Sequence, residues 1–226
     1  MYWNMWWVIP LAVFFCLGAT NIINFMDGIN GITGGYSLAV LIPLAIENEM
    51  LKSEKGVGFV DESLLIVVGL AVLVFCFFNF RTKAKCFAGD VGSISIALIL
   101  LFFIGRLIMM TTDVTWIILL LVYGVDGSLT ICHRVMLHEN LGRAHRKHAY
   151  QLMANELKMK HVLVSSIYMV MQLAISLIAI YIIPDNFVCH WIYFICVIIV
   201  LVIAYIVFIK KYYHLHEEYL ASLKKQ

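Results

Sequence analysis

Long apolar runs separated by short polar connections constrain this chain more than any other feature. Of its 226 residues, 63% are hydrophobic and only 13% are charged, whereas charged residues approach about a quarter of a soluble domain. A soluble fold of this length could not hide so much apolar surface. The pattern predicts an all-α, polytopic bundle of transmembrane helices, with residues 1–226 forming a single membrane domain.

Seven apolar segments can be marked along the chain. They cover about residues 7–23, 33–46, 63–79, 92–110, 115–132, 161–183 and 190–209. Segment 33–46 is shorter than the roughly 20 residues that a spanning helix needs, so we expect it to borrow from its flanks or to be partly re-entrant. The tail 210–226 mixes lysines with aromatic residues, which favours an interfacial helix at the membrane surface.

The positions of lysine and arginine predict the orientation. Loops 80–91 and 133–160 and the tail hold 13 of the 16 basic residues, and the alternate connections hold Lys52 and Lys55. Because cytoplasmic loops carry the excess of basic residues, we expect the N-terminus outside and the C-terminus in the cytosol. Seven crossings then put the connection 24–32 on the cytosolic side as well.

The first candidate cluster is the run from Asn21 to Gly31. Asn21 and Asn24 are three residues apart and share a face if helical, and Asp27 would continue that face. Gly28 lets the backbone turn and approach a ligand closely. A helix end capped by polar residues would give a similar pattern, but so many amides and carboxylates in an apolar chain favour a nucleotide or hydrated-metal site.

The second cluster runs from Asn79 to Ser93. Asp90 stands between glycines and near Lys85, an arrangement expected where phosphates and Mg²⁺ meet, because Mg²⁺ takes one or two carboxylates and keeps substrate phosphates and waters as its other ligands. The helix predicted to start near Ser93 would offer its positive end to an anion. Asp90 or Ser93 acting only as a helix cap is the alternative.

The third cluster, from Asp126 to Gln151, is the longest hydrophilic stretch. His145 and His148 would share a face if helical, and three basic residues lie beside them. That charge disfavours zinc and favours a polyphosphate, since arginine pairs phosphate oxygens bidentately. The alternative is a basic loop that binds lipid headgroups.

Together the three clusters resemble the polyprenyl-phosphate N-acetylhexosamine-1-phosphate transferase superfamily. The matching runs are NxxNFMDGxNG at 21–31, FN…AKCFxGDxGS at 78–93 and D…T…R…E…HRxHxYQ at 126–151. The resemblance implies about ten or eleven helices in the bacterial inner membrane and a cytosolic cleft. It also implies Mg²⁺-dependent transfer of a sugar 1-phosphate from a UDP-N-acetylhexosamine to undecaprenyl phosphate, with release of UMP. Family members are often homodimers, and no nucleic-acid partner is expected.

The same resemblance implies roles for individual residues. Asp90 would bind Mg²⁺ at the diphosphate, with Asp27 as a second candidate ligand, and His145 and His148 complete the predicted catalytic set. Phe87 and Gly89 would border the uridine pocket. The predicted substrate-binding residues are Asn21, Asn24, Asp27, Asn30, Asn79, Lys85, Phe87, Gly89, Arg134, Arg143 and Arg146.

Two departures from the family pattern bear on activity. Asn30 stands where the family has the second aspartate of its DGxDG run, and no adjacent aspartate pair occurs in the chain. Together with seven segments rather than ten or eleven, this predicts that the N-terminal third of a longer protein is missing. A degenerate or truncated homologue that binds lipid phosphate or UDP-sugar without turnover is therefore the alternative function. A transporter is disfavoured, because the ionisable groups gather at one face rather than at mid-membrane.

Overall fold

The computed structural model describes residues 5–140, 142 and 146–223, and within these ranges all regular structure is helical. The predicted all-α class is confirmed. The elements are α1 Met5–Phe25, α2 Ile32–Lys55, α3 Glu62–Asn79, α4 Gly89–Thr111, a 3-10 helix Val114–Leu120, α5 Leu121–Met136, α6 Ala149–Asn155, α7 His161–Tyr181 and α8 Phe187–Leu223.

The described residues contain six helices that are long and apolar enough to cross a membrane, one fewer than the seven predicted segments. The predicted segment 33–46 lies in α2, which runs on to Lys55 and is too polar for that set. The reason is its position: α2 lies against α3 and α7, and most of its first half is buried. The polar and glycine residues of this first half therefore face protein rather than lipid.

The predicted segment 115–132 is two helices of different type, and Gln172 lies where they join. Its side-chain amide donates to the carbonyl of Ile118 at 3.0 Å, and its carbonyl oxygen accepts from the backbone amide of Val122 at 3.2 Å. One buried side chain from α7 thus adds hydrogen bonds to the backbone on both sides of the change of helix type.

The tail is predicted to form an interfacial helix, and residues 210–223 are helical and continue α8 without a break. With 37 residues, α8 is about 55 Å long, well beyond the roughly 30 Å hydrocarbon core. Tyr205 Oη lies 2.8 Å from Thr130 Oγ1, and His216 Nδ1 lies 2.6 Å from Glu156 Oε1. These polar contacts to α5 and to the end of α6 hold the helix on the bundle.

An acidic cavity of about 200 Å³ lies at the end of the bundle opposite the predicted site, lined by residues that include Glu47, Asp113, Asp185 and His190. Asp113 and His190 pair at 2.6 Å. Glu47 stands on the charged last third of α2. Burial, and then the negative charge of Asp185, raise the pKa of Glu47 to about 7.

The raised pKa of Glu47 predicts a pH-dependent stability. A carboxyl group whose pKa is higher in the folded than in the unfolded chain binds more protons when folded, so its contribution to the free energy of unfolding falls as pH rises from about 4.5 to 7. Because the group is only partly buried, we expect Glu47→Gln to stabilise the chain above pH 7 by about 1–2 kcal/mol.

Melting temperatures measured in detergent at about pH 5 and at pH 8 test this prediction. The exposed neighbour Glu49 provides the matched variant Glu49→Gln, which should melt no higher than the wild type at either of these two pH values. Equal melting temperatures of Glu47→Gln and wild type at pH 8 would contradict the prediction.

Candidate active site

Three connections of the chain, taken with the helix ends beside them, meet at one end of the bundle. We call this the polar end, and it comprises residues 24–31, 79–93 and 146–151. The backbone amide of Gly31 donates to Asn79 Oδ1 at 2.7 Å and joins the first connection to the second. Tyr150 Oη donates to the carbonyl of Phe25 at 2.9 Å and joins the third to the first. The three clusters separated in the sequence are therefore one site.

Gly31 shows why the first connection folds as it does. Its φ of +86° lies in the left-handed region, and a Cβ there would come within 2.0 Å of the Phe80 ring. Only glycine meets both demands without strain. The chain can therefore turn from α1 into α2 directly against the start of the second connection.

Asn24 and Asp90 are in direct contact although 66 positions separate them. The Asn24 amide donates to Asp90 Oδ1 at 3.2 Å and to Ser93 Oγ at 2.8 Å. Ser93 is buried, whereas Asp90 is exposed in the first turn of α4. Asn24 thus holds the exposed carboxylate in place from the end of α1.

Asp27 lies beside Asp90 in the bend after α1. Thr33 Oγ1 donates to its carboxylate. Burial raises the pKa of Asp27, and the negative charge of Asp90 adds to this effect, whereas hydrogen bonds from Thr33 and the Gly89 amide oppose it. Two neighbouring carboxylates that repel each other suit a hard divalent cation.

The residues present fit Mg²⁺ in kind and in number. No group of three or more potential His, Cys, Asp or Glu ligands occurs within the described part of the chain. Mg²⁺ does not need a complete protein cage, because it is commonly held by one or two carboxylates together with substrate phosphates. Asp90 and Asp27 could supply those two carboxylates.

Asn79 and Asn30, predicted to bind substrate, tie the first two connections together. Buried Asn79 also donates to the carbonyl of Cys86 at 2.8 Å. The Asn30 amide donates to the carbonyls of Arg81 and Thr82 at 3.1 and 3.2 Å. An aspartate at position 30 could not make these donations when ionised, so the amide suits this chain better than the carboxylate of the family pattern.

Arg134 is buried among protein groups. Its side chain is 3% exposed, and it donates to Glu139 Oε2 at 3.2 Å and to the carbonyl of Asn140 at 2.6 Å. Lys147 donates to the same glutamate, and this hydrogen bond, followed by that from Arg134, holds the pKa of Glu139 below its usual value. The contacts described for Arg134 fold the loop after α5; its predicted role at the substrate stays a prediction.

His148 is also buried, and its partner is a residue that the sequence left without a role. The ring is 1% exposed, and Nδ1 lies 3.3 Å from Asp126 Oδ1. His148 caps α6 as well, since its backbone amide donates to Gln151 Oε1 at 3.3 Å. The signal that could have marked Asp126 was present: a carboxylate inside an apolar segment is a functional candidate by default.

The remaining predicted residues lie in several places. Lys85, Phe87, Gly89 and Arg146 are exposed at the polar end, where a ligand could reach them. Asn21 is exposed on α1 and donates to the carbonyl of Leu17 in its own helix, so the structure does not bring it to Asp90. Arg143 and His145 lie outside the described residues.

Fold and site together define a multi-pass helical membrane protein that gathers carboxylates, amides and basic groups at one end of its bundle. Residues 1–125, more than half of the chain, match the model of glycosyl transferase family 4. The chain belongs to this family, which confirms the resemblance seen in the sequence.

Similar curated proteins agree with this family. The probable undecaprenyl-phosphate N-acetylglucosaminyl 1-phosphate transferase of Bacillus subtilis (strain 168) is 31% identical over 154 residues, which are 66% of this chain and 41% of that protein. The phospho-N-acetylmuramoyl-pentapeptide-transferase of Thermotoga maritima is 30% identical over 129 residues, 57% of this chain and 39% of that protein. The chain therefore spans about two fifths of the length of these relatives.

Proposed function

We propose that the chain takes part in the transfer of a sugar 1-phosphate from a UDP-N-acetylhexosamine to undecaprenyl phosphate, with release of UMP. The observation that carries the proposal is the meeting of Asp27, Asn24 and Asp90 at the polar end of a family 4 chain. The named relatives act on undecaprenyl phosphate or are phosphosugar transferases, and the same substrate classes are proposed here.

The proposed reaction balances without an oxidant or reductant. An oxygen of the lipid phosphate attacks the β-phosphorus of the UDP-sugar. The bond from that phosphorus to the oxygen bridging the two phosphates breaks, and UMP leaves with that oxygen. Little covalent help from the protein is needed, because phosphoryl transfer depends mainly on positioning and on neutralising charge.

The residues of the polar end have distinct tasks in this proposal. Asp90, held by Asn24, and Asp27, held by Thr33, would bind Mg²⁺, whose charge would neutralise the diphosphate. Exposed Lys85 and Arg146 would attract the substrate phosphates. Phe87, 74% exposed, would offer its ring face to the uracil base.

We also propose that the chain lies in the inner membrane of a bacterium with its polar end on the cytosolic side. The basic loops belong to the polar end, and UDP-sugars are made in the cytosol. A variant whose six cysteines are replaced, and which carries one new cysteine, tests this orientation by its reaction with a membrane-impermeant thiol reagent in intact and in opened cells. A substituted cysteine at exposed Lys83 should react only after the cells are opened.

Release of UMP by the purified chain tests the function. The full 226-residue chain in detergent would be mixed with undecaprenyl phosphate, Mg²⁺ and each of several UDP-N-acetylhexosamines, beside the Bacillus subtilis relative as a positive control. UMP release that requires both lipid and Mg²⁺ supports the proposal. The UDP-sugar that gives the fastest release identifies the donor. Binding of UDP-sugar without UMP release, while the relative turns over, would favour the non-catalytic alternative.

A further inference from the structure

Asp126 is a buried carboxylate on α5 whose contacts come from three different parts of the chain. Its side chain is 4% exposed. Taking an ionised group out of water costs several kcal/mol unless hydrogen bonds replace the lost hydration. A chain that keeps such a group inside an apolar segment must either satisfy it fully or use it.

Within the described residues, Asp126 receives a full set of donors. Tyr168 Oη on α7 donates to Oδ2 at 2.6 Å, and the backbone amide of Ala149 at the start of α6 donates to Oδ1 at 3.1 Å. Thr130 Oγ1, one turn further along α5, lies 3.2 Å from Oδ1. The carboxylate is thus fixed from three helices, and its position cannot drift.

The contact to His148 is what gives Asp126 more than a packing role. Nδ1 of the ring lies 3.3 Å from Oδ1. An ionised carboxylate only accepts hydrogen bonds, so this contact is a hydrogen bond when the proton of the neutral ring sits on Nδ1 and Nε2 carries the lone pair. The Gln151 backbone amide also faces the ring in the capping box, but it already donates to the His148 carbonyl at 3.0 Å. A carboxylate that selects one histidine tautomer in this way is a recurrent device for orienting a functional imidazole.

The ring and its neighbours connect Asp126 to the carboxylate pair. The ring centres of His148 and Tyr150 lie 5.7 Å apart with 28° between the ring planes. Tyr150 Oη donates to the carbonyl of Phe25, two residues before Asp27. Tyr150 is fully buried. A shift of the His148 ring would therefore be passed through Tyr150 to the bend that carries Asp27.

We propose that Asp126 is a positioning residue for the transferase site: it holds His148 in the tautomer protonated on Nδ1 and so sets the start of α6 against the Asp27 bend. The step from this geometry to catalysis rests on the proposed function, whereas the tautomer does not. If Asp126 only capped α6, it would need the contact with the Ala149 amide but would not fix the tautomer of His148. The tautomer therefore distinguishes a positioning role from a capping role.

The chain offers a matched control at its opposite end. Asp113 and His190 form a second aspartate–histidine pair, with Nδ1 2.6 Å from Oδ2. Asp113→Asn makes the same chemical change as Asp126→Asn but far from Asp27. It should alter the tautomer of His190 and leave UMP release unchanged.

The first arm of the experiment is spectroscopic. The full chain labelled with ¹⁵N-histidine in detergent has eight histidines, and loss of one signal in His148→Gln identifies His148. We expect the neutral wild-type ring to be protonated on Nδ1. In Asp126→Asn the amide can donate to Nδ1 instead, so the proton should move to Nε2. A wild-type ring protonated on Nε2, or a tautomer that Asp126→Asn leaves unchanged, would overturn the proposal.

The second arm is kinetic. With its amide nitrogen facing His148, the asparagine can still accept from Tyr168 through its one oxygen, but it loses the contact from the Ala149 amide. The thermal midpoint of the variant therefore checks that it folds. We expect kcat for UMP release to fall about 100-fold, because a misplacement of about 1 Å at a reacting group can cost about that much, with KM for the UDP-sugar changed less than about threefold. A folded variant with a changed tautomer and unchanged kcat would overturn the positioning role. If the wild type releases no UMP, the proposed function fails while the spectroscopic arm still decides the tautomer.

Discussion

Asp90→Asn is expected to lower the rate of UMP release at least about 100-fold without unfolding the chain. The side chain is exposed, so its loss opens no cavity, and the substituted amide oxygen can still accept from Asn24. What disappears is a negative charge at the proposed Mg²⁺ site. Removing one group that stabilises charge in a transition state typically costs about 10²–10³ in kcat, and a lost metal ligand adds to this.

Binding of a metal provides a readout that does not depend on turnover. Mn²⁺ can stand in for Mg²⁺ and be followed by electron paramagnetic resonance with UDP present. Its affinity should fall in Asp90→Asn and stay unchanged in Asp185→Asn, which removes an exposed carboxylate at the opposite end of the bundle. If Asp90→Asn kept both its turnover and its dependence on Mg²⁺, Asp90 would not be the metal ligand.

The sequence predicted the fold class and the meeting of three distant clusters, because hydropathy and motif order are local signals. It could not predict the role of α2. A helix buried among other helices looks like a short, interrupted span, since hydropathy records composition and not what each face touches. The helix junction at Gln172 could not be predicted for the same reason, because the partners of Gln172 lie in other helices, at Ile118 and Val122.

Within the site, the sequence identified chemistry better than position. Asp27, Asn24 and Asp90 are brought together as predicted. The resemblance implies a substrate role for Arg134, and the structure adds that its buried guanidinium donates to Glu139. Asp126 was left without a role because its partner His148 lies 22 residues away. Charge type can be read from a sequence, whereas burial and pairing arise only when the chain folds.

Gly28→Ala should reduce UMP release about 10- to 100-fold, because the new methyl group would take space that Tyr150 occupies. A Cβ at position 28 would lie 2.2 Å from Tyr150 Oη and 3.1 Å from two ring carbons. Tyr150 is fully buried and has no room to retreat without breaking its hydrogen bond to Phe25. Overpacking of this kind costs about 1–3 kcal/mol, so thermal unfolding should report the strain as well.

The clash allows a second test, because the hydroxyl group of Tyr150 that the new methyl group meets can be removed. Tyr150→Phe removes the hydroxyl that the methyl group meets, so the double variant should be more active and more stable than Gly28→Ala alone, although Tyr150→Phe by itself loses the bond to Phe25. Such a favourable coupling in a double-mutant cycle reports direct contact. Gly69→Ala, where a Cβ meets nothing within 4 Å, should leave the rate of UMP release unchanged. If the effects of Gly28→Ala and Tyr150→Phe simply add, these two residues do not join the third cluster to the Asp27 bend, and the site must be held together elsewhere.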